Sequence, residues 1–537
     1  METAEAGGPD DHQNVEAGTG RQKKGLNKYA FICALLASIN SILLGYDINI
    51  WHAIVIGRWC GDDVTAGDAV DIGVMSGAVL YIKEDLEITE VQVEVLVGIL
   101  NVFSLIGSLA SGKTSDYIGR RYTIVVAAAT FLVGALAMGL APNYPFLIVG
   151  RMIAGIGVGY SLMISPVYTA EISPTMKRGF LTSLPEVFIV LGILSGYVFN
   201  YALSGLPGNI NWRIMLGLAA VPAAVIGVGV LIMPESPRWL VMKSRYDEAK
   251  RVLLKVSDTE QEAKERLDDM IKAAKESSPS GPDDDQGPPK GNFTGEGVWK
   301  DLILKPTPAV RRMLIAAVGI NFFMQASGND AVIYYTPAVF KGAGIHRKPV
   351  LFGINVVMGL AKTFFVVLSA LHLDKFGRRP LLLLGSSGMV GSLLLLGIGS
   401  KILEGSTPTV VVVLCIIAVC AFVSFFSIGL GPITWVYSSE IFPLRLRAQG
   451  SALAISVNRL VSGVISMTFL SISHRLSFGG TFFLLAGITT VGTIFFYVFL
   501  PETKGKTLEE MQALFGGDND DTSRDENEKQ QTETSEK

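Results

Sequence analysis

The stretch Gly112–Arg121, GKTSDYIGRR, decides the fold because it occurs twice. Its echo is LDKFGRR at 373–379, which sets Asp374 258 positions after Asp116. Two further pairs keep the same order. Glu171-Ile-Ser-Pro, followed by Arg178, returns as Glu440-Ile-Phe-Pro, followed by Arg447, 269 positions on. Pro234-Glu-Ser-Pro-Arg, with Glu235 and Arg238, returns as Pro501-Glu-Thr-Lys, with Glu502, 267 positions on. Three ordered pairs at nearly constant offset mean that the chain is a tandem repeat of one unit. Parallel repeats related in this way are the architecture of carriers that alternate access about a site near the bilayer midplane.

Between the repeated motifs the chain is apolar. Of its 537 residues 49% are hydrophobic and 17% charged, against about 25% charged in an average soluble domain. Mean hydropathy is +0.43. A span needs about 20 apolar residues, and such runs lie near 29–47, 93–112, 122–141, 146–168, 180–203, 213–233, 311–335, 350–373, 380–402, 409–438, 446–472 and 478–500. The expected fold is therefore an all-α membrane protein of twelve transmembrane helices in two six-helix bundles. Residues 1–28 form an N-terminal tail, 29–233 the first bundle, 234–310 a polar loop, 311–500 the second bundle and 501–537 a C-terminal tail. Within the loop, Val252, Leu253, Val256, Leu267, Met270 and Ile271 recur at helical spacing, which predicts short surface helices between the bundles. Basic loops (RQKKGLNK at 21–28, GKTSDYIGRR, MKRG at 176–179, LDKFGRR, PLRLR at 443–447) alternate with poorer ones, so that side and both termini should be cytoplasmic.

Several classes are disfavoured. The net charge of −3 gives no footprint for nucleic acid. Four scattered cysteines (Cys33, Cys60, Cys415, Cys420) make neither a disulfide framework nor a zinc site. Nucleophile elbow, phosphate loop and histidine–metal cluster are all missing from the sequence, so an enzyme is not expected, nor any metal or cofactor. The repeated motifs set carboxylates and arginines at one end of the helices. Glu171 with Arg178, Glu440 with Arg447, and Asp116 and Asp374 near Arg120, Arg121, Arg378 and Arg379 are placed to form ion-pair networks that hold the bundles together when that side is shut. The plainer reading is that the basic residues only fix topology.

With GRMIAGIGVGYSLMISPVYTAEISPTMKRG (150–179), PESPRWL (234–240), QASG (325–328) followed by YYTP (334–337), GPITWVYSSEIFP (431–443) and PETKG (501–505), the motifs resemble, in order and spacing, the sugar porters of the major facilitator superfamily over residues 26–515. The details (Pro185-Glu186-Val187-Phe188, Gln325-Ala326-Ser327-Gly328, Asn458-Arg459) are most similar to plant polyol and monosaccharide proton symporters. The resemblance implies a polyol or monosaccharide site built from Glu186, Gln325, Asp330, Tyr334, Tyr335, Lys362, Trp435 and Asn458. Met324 stands where the family has a first glutamine, which removes one hydrogen-bond partner. It also implies proton coupling by an aspartate in Gly45-Tyr46-Asp47 facing Arg151, a proton gradient as the only driving force, and a monomer in the plasma membrane.

The residues themselves point the same way. Glu186, Asp330 and Lys362 are ionisable groups inside apolar runs, which are functional candidates by default. The plainer alternative is an interhelical ion pair, Lys362 with Asp330 or Glu186. One departure stands out. The family runs from GYD straight into IGVMSGA, whereas here 24 residues (48–71) intervene. The proton position therefore falls to Asp47 or Asp71. A facilitative uniporter using the same cavity, or a transport-incompetent sensor, remains an alternative.

Overall fold

The computed structural model describes residues 27–47, 85–86, 88–203, 208–276, 298–329, 332, 348–403, 408–508 and 510–516. Segment 48–71, with Asp71, and the site candidates Asp330, Tyr334 and Tyr335 lie outside these residues. Helix α1 (Lys28–Ile39) turns at Asn40 and resumes to Asp47. Then come α2 (Glu90–Ile118), α3 (Arg120–Gly139), α4 (Tyr144–Ile172), α5 (Arg178–Leu203) and the broken pair α6 (Gly208–Leu218) and α7 (Ala220–Val230). Helices α8 (Pro237–Met242), α9 (Tyr246–Val256) and α10 (Glu260–Glu276) form the connecting region. The second half holds α11 (Pro308–Ala326), α12 (Lys348–Phe376), α13 (Arg378–Leu403), α14 (Thr409–Ile428), α15 (Leu430–Glu440) and α16 (Arg447–Phe499), which turns at Ser477, followed by short α17 (Met511–Gly516). Among the described residues the elements are helical throughout, and nine helical stretches are long and apolar enough to cross a membrane. The runs 93–112, 311–335 and 446–472 lie on α2, α11 and the first part of α16 and are not among the nine; α11's run extends past the described residues.

Local sequence explains where helices start. Thr89 and Gln92 cap α2 reciprocally, Asn143 caps α4 just ahead of Pro145, and Thr307 caps α11 ahead of Pro308; each satisfies N–H groups that a helix start leaves orphaned. Helix α4 carries glycines on two faces. A Cβ at Gly155 or Gly159 would press on α2 at Leu100 and Ser104, and one at Gly150 or Gly157 on α3 at Met138 and Phe131. Small residues let membrane helices approach closely, because packing rather than a hydrophobic force holds them. The contact brings Arg151 deep into the first half. Helices α9 and α10 are amphipathic. Leu253, Val256 and Met270 are buried, with Val252, Leu267 and Ile271 packed beside them. Of the cysteines, Cys33 and Cys415 are buried small hydrophobes and Cys420 is half-buried.

Candidate functional site

The basic end of the molecule is built twice from the same parts. Gly119 and Gly377 stand between consecutive helices at φ +98° and +95°, a backbone region that disfavours side chains. A Cβ at either position would strike the carboxylate of Glu235 or Glu502. Those carboxylates cap the following helix. Glu235 accepts the N–H groups of Arg120 at 2.8 Å and Arg121 at 3.2 Å; Glu502 accepts those of Arg378 at 3.0 Å and Arg379 at 2.9 Å. A carboxylate there meets orphan donors and the positive end of the helix dipole. Burial nonetheless pushes the Glu235 carboxyl above its ordinary 4.5, only partly offset by the N–H groups of Ser236, Arg121 and Arg120 and by the charge of Arg120.

Inside each cluster an arginine bridges two acids. Arg120 binds Glu171 through Nε at 3.0 Å and Nη2 at 3.2 Å, and Asp116 at 3.3 Å. Arg378 binds Glu440 at 3.0 Å and Asp374 at 3.3 Å. Ser236 donates to Glu171 and Thr503 to Glu440, while Arg238 holds the Glu171 carbonyl at 2.7 Å. Links also pass between the halves at this end. Gln449 donates to Asp116 at 3.2 Å. Gly179 and Phe180 donate their backbone N–H groups to Asp374, each at 2.9 Å. Arg178 donates to the Lys506 carbonyl at 3.2 Å, and Arg447 lies 3.9 Å from Glu171.

The second arginine of each pair is placed differently from the first. Arg121 and Arg379 point away from the aspartates: Arg121 donates to the Leu231 carbonyl and lies by Tyr122, and Arg379 donates to the Tyr497 carbonyl at 2.6 Å and stacks on that ring. Neighbours in a helix do not share a face, so the second arginine of each pair ties down the end of another helix. Arg178 reaches across to the other half, donating to the Lys506 carbonyl.

Between α1 and α4, Asp47 and Arg151 form a buried ion pair at 2.5 Å, with side chains 3% and 2% exposed. Arg151 also donates to the Leu96 carbonyl at 3.3 Å. Of the two aspartates open from the sequence, Asp47 is the one described against Arg151. In α5, Glu186 is buried and accepts the indole N–H of Trp435 of α15 at 2.8 Å. Trp435 thus turns the polar edge of its indole to Glu186. Lys362 of α12 is buried, its ammonium 5.4 Å from the centre of the Phe426 ring, a cation–π geometry.

The amides gather between α11, α15 and α16. Gln325 donates to Asn458 Oδ1 at 3.2 Å. Asn458 Nδ2 faces the Asn321 carbonyl and Met324 Sδ, both at 3.4 Å, so Met324 keeps a contact where the sequence implied only a loss. Two members were missed in the sequence. Asn321 donates to Ser438 at 2.7 Å, one turn from Trp435, and Arg459 donates to Asn458 at 3.1 Å. Both are polar residues inside apolar runs, which is the signal that would have found them. So is Asn40 at the turn in α1, whose buried amide has no partner among the described residues.

The "Sugar (and other) transporter" family model matches residues 33–515. The chain belongs to the sugar transporter family. It is 54% identical over 494 residues to "Polyol transporter 5" of Arabidopsis thaliana, covering 91% of this chain and 87% of that protein. It is 34% identical over 442 residues to "Glucose transporter GlcP" of Staphylococcus epidermidis, covering 82% and 93%. The structure of the proton:xylose symporter XylE bound to 6-bromo-6-deoxy-D-glucose superposes with TM-score 0.75 at 25% identity, covering 91% of this chain and 99% of that one. An inward-open structure of XylE from E. coli gives 0.62 at 25% identity, covering 90% and 100%. The fold is therefore the all-helical major facilitator fold, and the chain is a membrane carrier of this family and not an enzyme. Among the described residues no cluster is suited to hold a metal ion.

Proposed function

We propose that this sugar transporter is a proton-coupled symporter of polyols or monosaccharides, with twelve helices in two six-helix bundles and alternating access between them. The observation that carries the coupling is the buried Asp47–Arg151 pair. Breaking a buried pair of carboxylate and guanidinium is costly. Protonation of Asp47 from the external side removes that attraction, frees Arg151 and lets the loaded carrier turn over. Loss of the proton on the cytoplasmic side restores the pair. The proton gradient supplies the drive, with no cofactor.

The substrate site is proposed around Glu186, Gln325, Lys362, Trp435 and Asn458, with Asp330, Tyr334 and Tyr335 completing it. A polyol offers hydroxyls, and carboxylate, amide and indole groups are the partners that bind them in a mostly apolar cleft. The basic end is assigned to the cytoplasm, with both termini there, in the plasma membrane and as a monomer. The links of Asp116 to Gln449 and of Asp374 to Gly179 and Phe180 support the reading that this end is shut here and opens when they part.

The test is radiolabelled uptake of a polyol and hexose panel in transport-deficient yeast, with and without a protonophore and with and without residues 48–71. Accumulation abolished by the protonophore is the expected result. Uptake that ignores the protonophore would make the protein a facilitative uniporter. Uptake seen only after removal of 48–71 would make the full chain transport-incompetent.

A further inference from the structure

Asn458 and Gln325 are joined to a permanent cation. Arg459 is buried and donates through both Nε, at 3.1 Å, and Nη2 to Asn458 Oδ1. The same oxygen accepts Gln325 Nε2 at 3.2 Å. A guanidinium can only donate and stays charged. The Asn458 carboxamide must therefore turn its oxygen to Arg459, with its nitrogen toward the Asn321 carbonyl and Met324 Sδ. Gln325 must in turn give Asn458 an N–H, which turns Gln325 Oε1 away from Asn458. Two linked amides without a fixed end can run in either direction by a double flip. Here the cation is the main end that removes that freedom, because inversion would set the Asn458 amino group against the guanidinium, whereas the contacts of Nδ2 to the Asn321 carbonyl and Met324 Sδ are long, at 3.4 Å.

We infer that Arg459 is a positioning residue that sets the hydrogen-bond polarity of the Asn458–Gln325 relay, so that Gln325 meets the substrate with its carbonyl oxygen and selects a hydroxyl that donates. This inference rests on the proposed placement of Gln325 at the polyol site. Asn458 is then a strut between cation and glutamine rather than a substrate ligand.

The test measures inhibition constants on purified, reconstituted protein for a hexose or polyol, its deoxy analogues and its deoxyfluoro analogues at each carbon. Fluorine accepts weakly and cannot donate. For the wild type, at one carbon the fluoro analogue binds as poorly as the deoxy analogue, each about fivefold to tenfold weaker than the parent, the size of one hydrogen bond. In Arg459→Met the relay can invert, and at that carbon the fluoro analogue gains severalfold over the deoxy one. Arg459→Lys keeps the wild-type pattern. Asn458→Asp keeps it too, since a carboxylate only accepts, whereas Asn458→Leu cuts the relay and loses it with Arg459 intact. If Arg459→Met does not fold, the two Asn458 variants decide. An unchanged fluoro-to-deoxy ratio in Arg459→Met or, failing that, in Asn458→Leu overturns the inference, as does Arg459→Lys behaving like Arg459→Met. A wild type that binds the parent with no carbon showing the donor pattern overturns it while sparing the polyol site. A wild type that binds none of the panel overturns the polyol reading itself.

Discussion

The two halves agree at the basic end and part company in the middle. From Glu171 to Glu440 and from Arg178 to Arg447 the repeat is 269 positions, and the clusters around Arg120 and Arg378 are wired alike. At the same offset Arg151 faces Cys420, Glu186 faces Ile455, and Ile189 and Val190 stand where the second half has Asn458 and Arg459. One half holds the carboxylate–arginine pair and the other the amide relay. In the proposed mechanism the shared clusters are the scaffold of a movement that both halves make. In that mechanism the unshared residues divide the work, with the proton on one side and much of the substrate recognition on the other.

Symmetry at the basic end can be broken by mutation. Glu171→Gln and Glu440→Gln each take from a buried arginine one of its two acids and should cost up to about 3 kcal/mol, seen as a loss of melting temperature in purified protein. Matching losses sustain the equivalence, and one silent variant breaks it. Gly119→Ala and Gly377→Ala should each cost about 1–3 kcal/mol, since both glycines lie at positive φ with a capping carboxylate where a Cβ would go.

The cross-links should differ. Asp374→Asn weakens an acceptor of two backbone N–H groups, and Gln449→Ala removes one side-chain donor to Asp116. Each should cost the fold about 1 kcal/mol or less, yet shift the carrier toward opening at this end, read as faster labelling of cysteines placed there. The shift should be larger for Asp374→Asn. Equal melting losses with unchanged labelling would mean that these links are scaffold as well.

The smallest effect should be at Glu235. Its carboxyl is raised above 4.5 by burial, so its favourable contribution is fully present below 4.5 and fades as pH rises through the raised value. The wild type should therefore gain on Glu235→Gln as pH falls from 7 toward 4.5. Paired melting curves across that range check it, and a gain in the opposite direction contradicts it.

The scaffold was legible because charges in apolar surroundings stand out and recur at a fixed offset. Spacing alone did not separate Arg120 from Arg121, or Arg378 from Arg379, since only helix rotation decides which arginine faces the acids. The centre was less legible for the same reason. The carboxylate of Glu186 and the indole of Trp435 are 249 positions apart, and nothing in the local sequence joins them. Arg459 was visible as a charge beside Asn458, but its grip on the amide oxygen needed the side-chain geometry.

The division of labour rests most heavily on Asp47. In proteoliposomes with an imposed proton gradient, Asp47→Asn should lose uphill accumulation of substrate while keeping exchange of labelled for unlabelled substrate. Accumulation at the wild-type level in that variant would contradict the assignment of proton coupling to the first half.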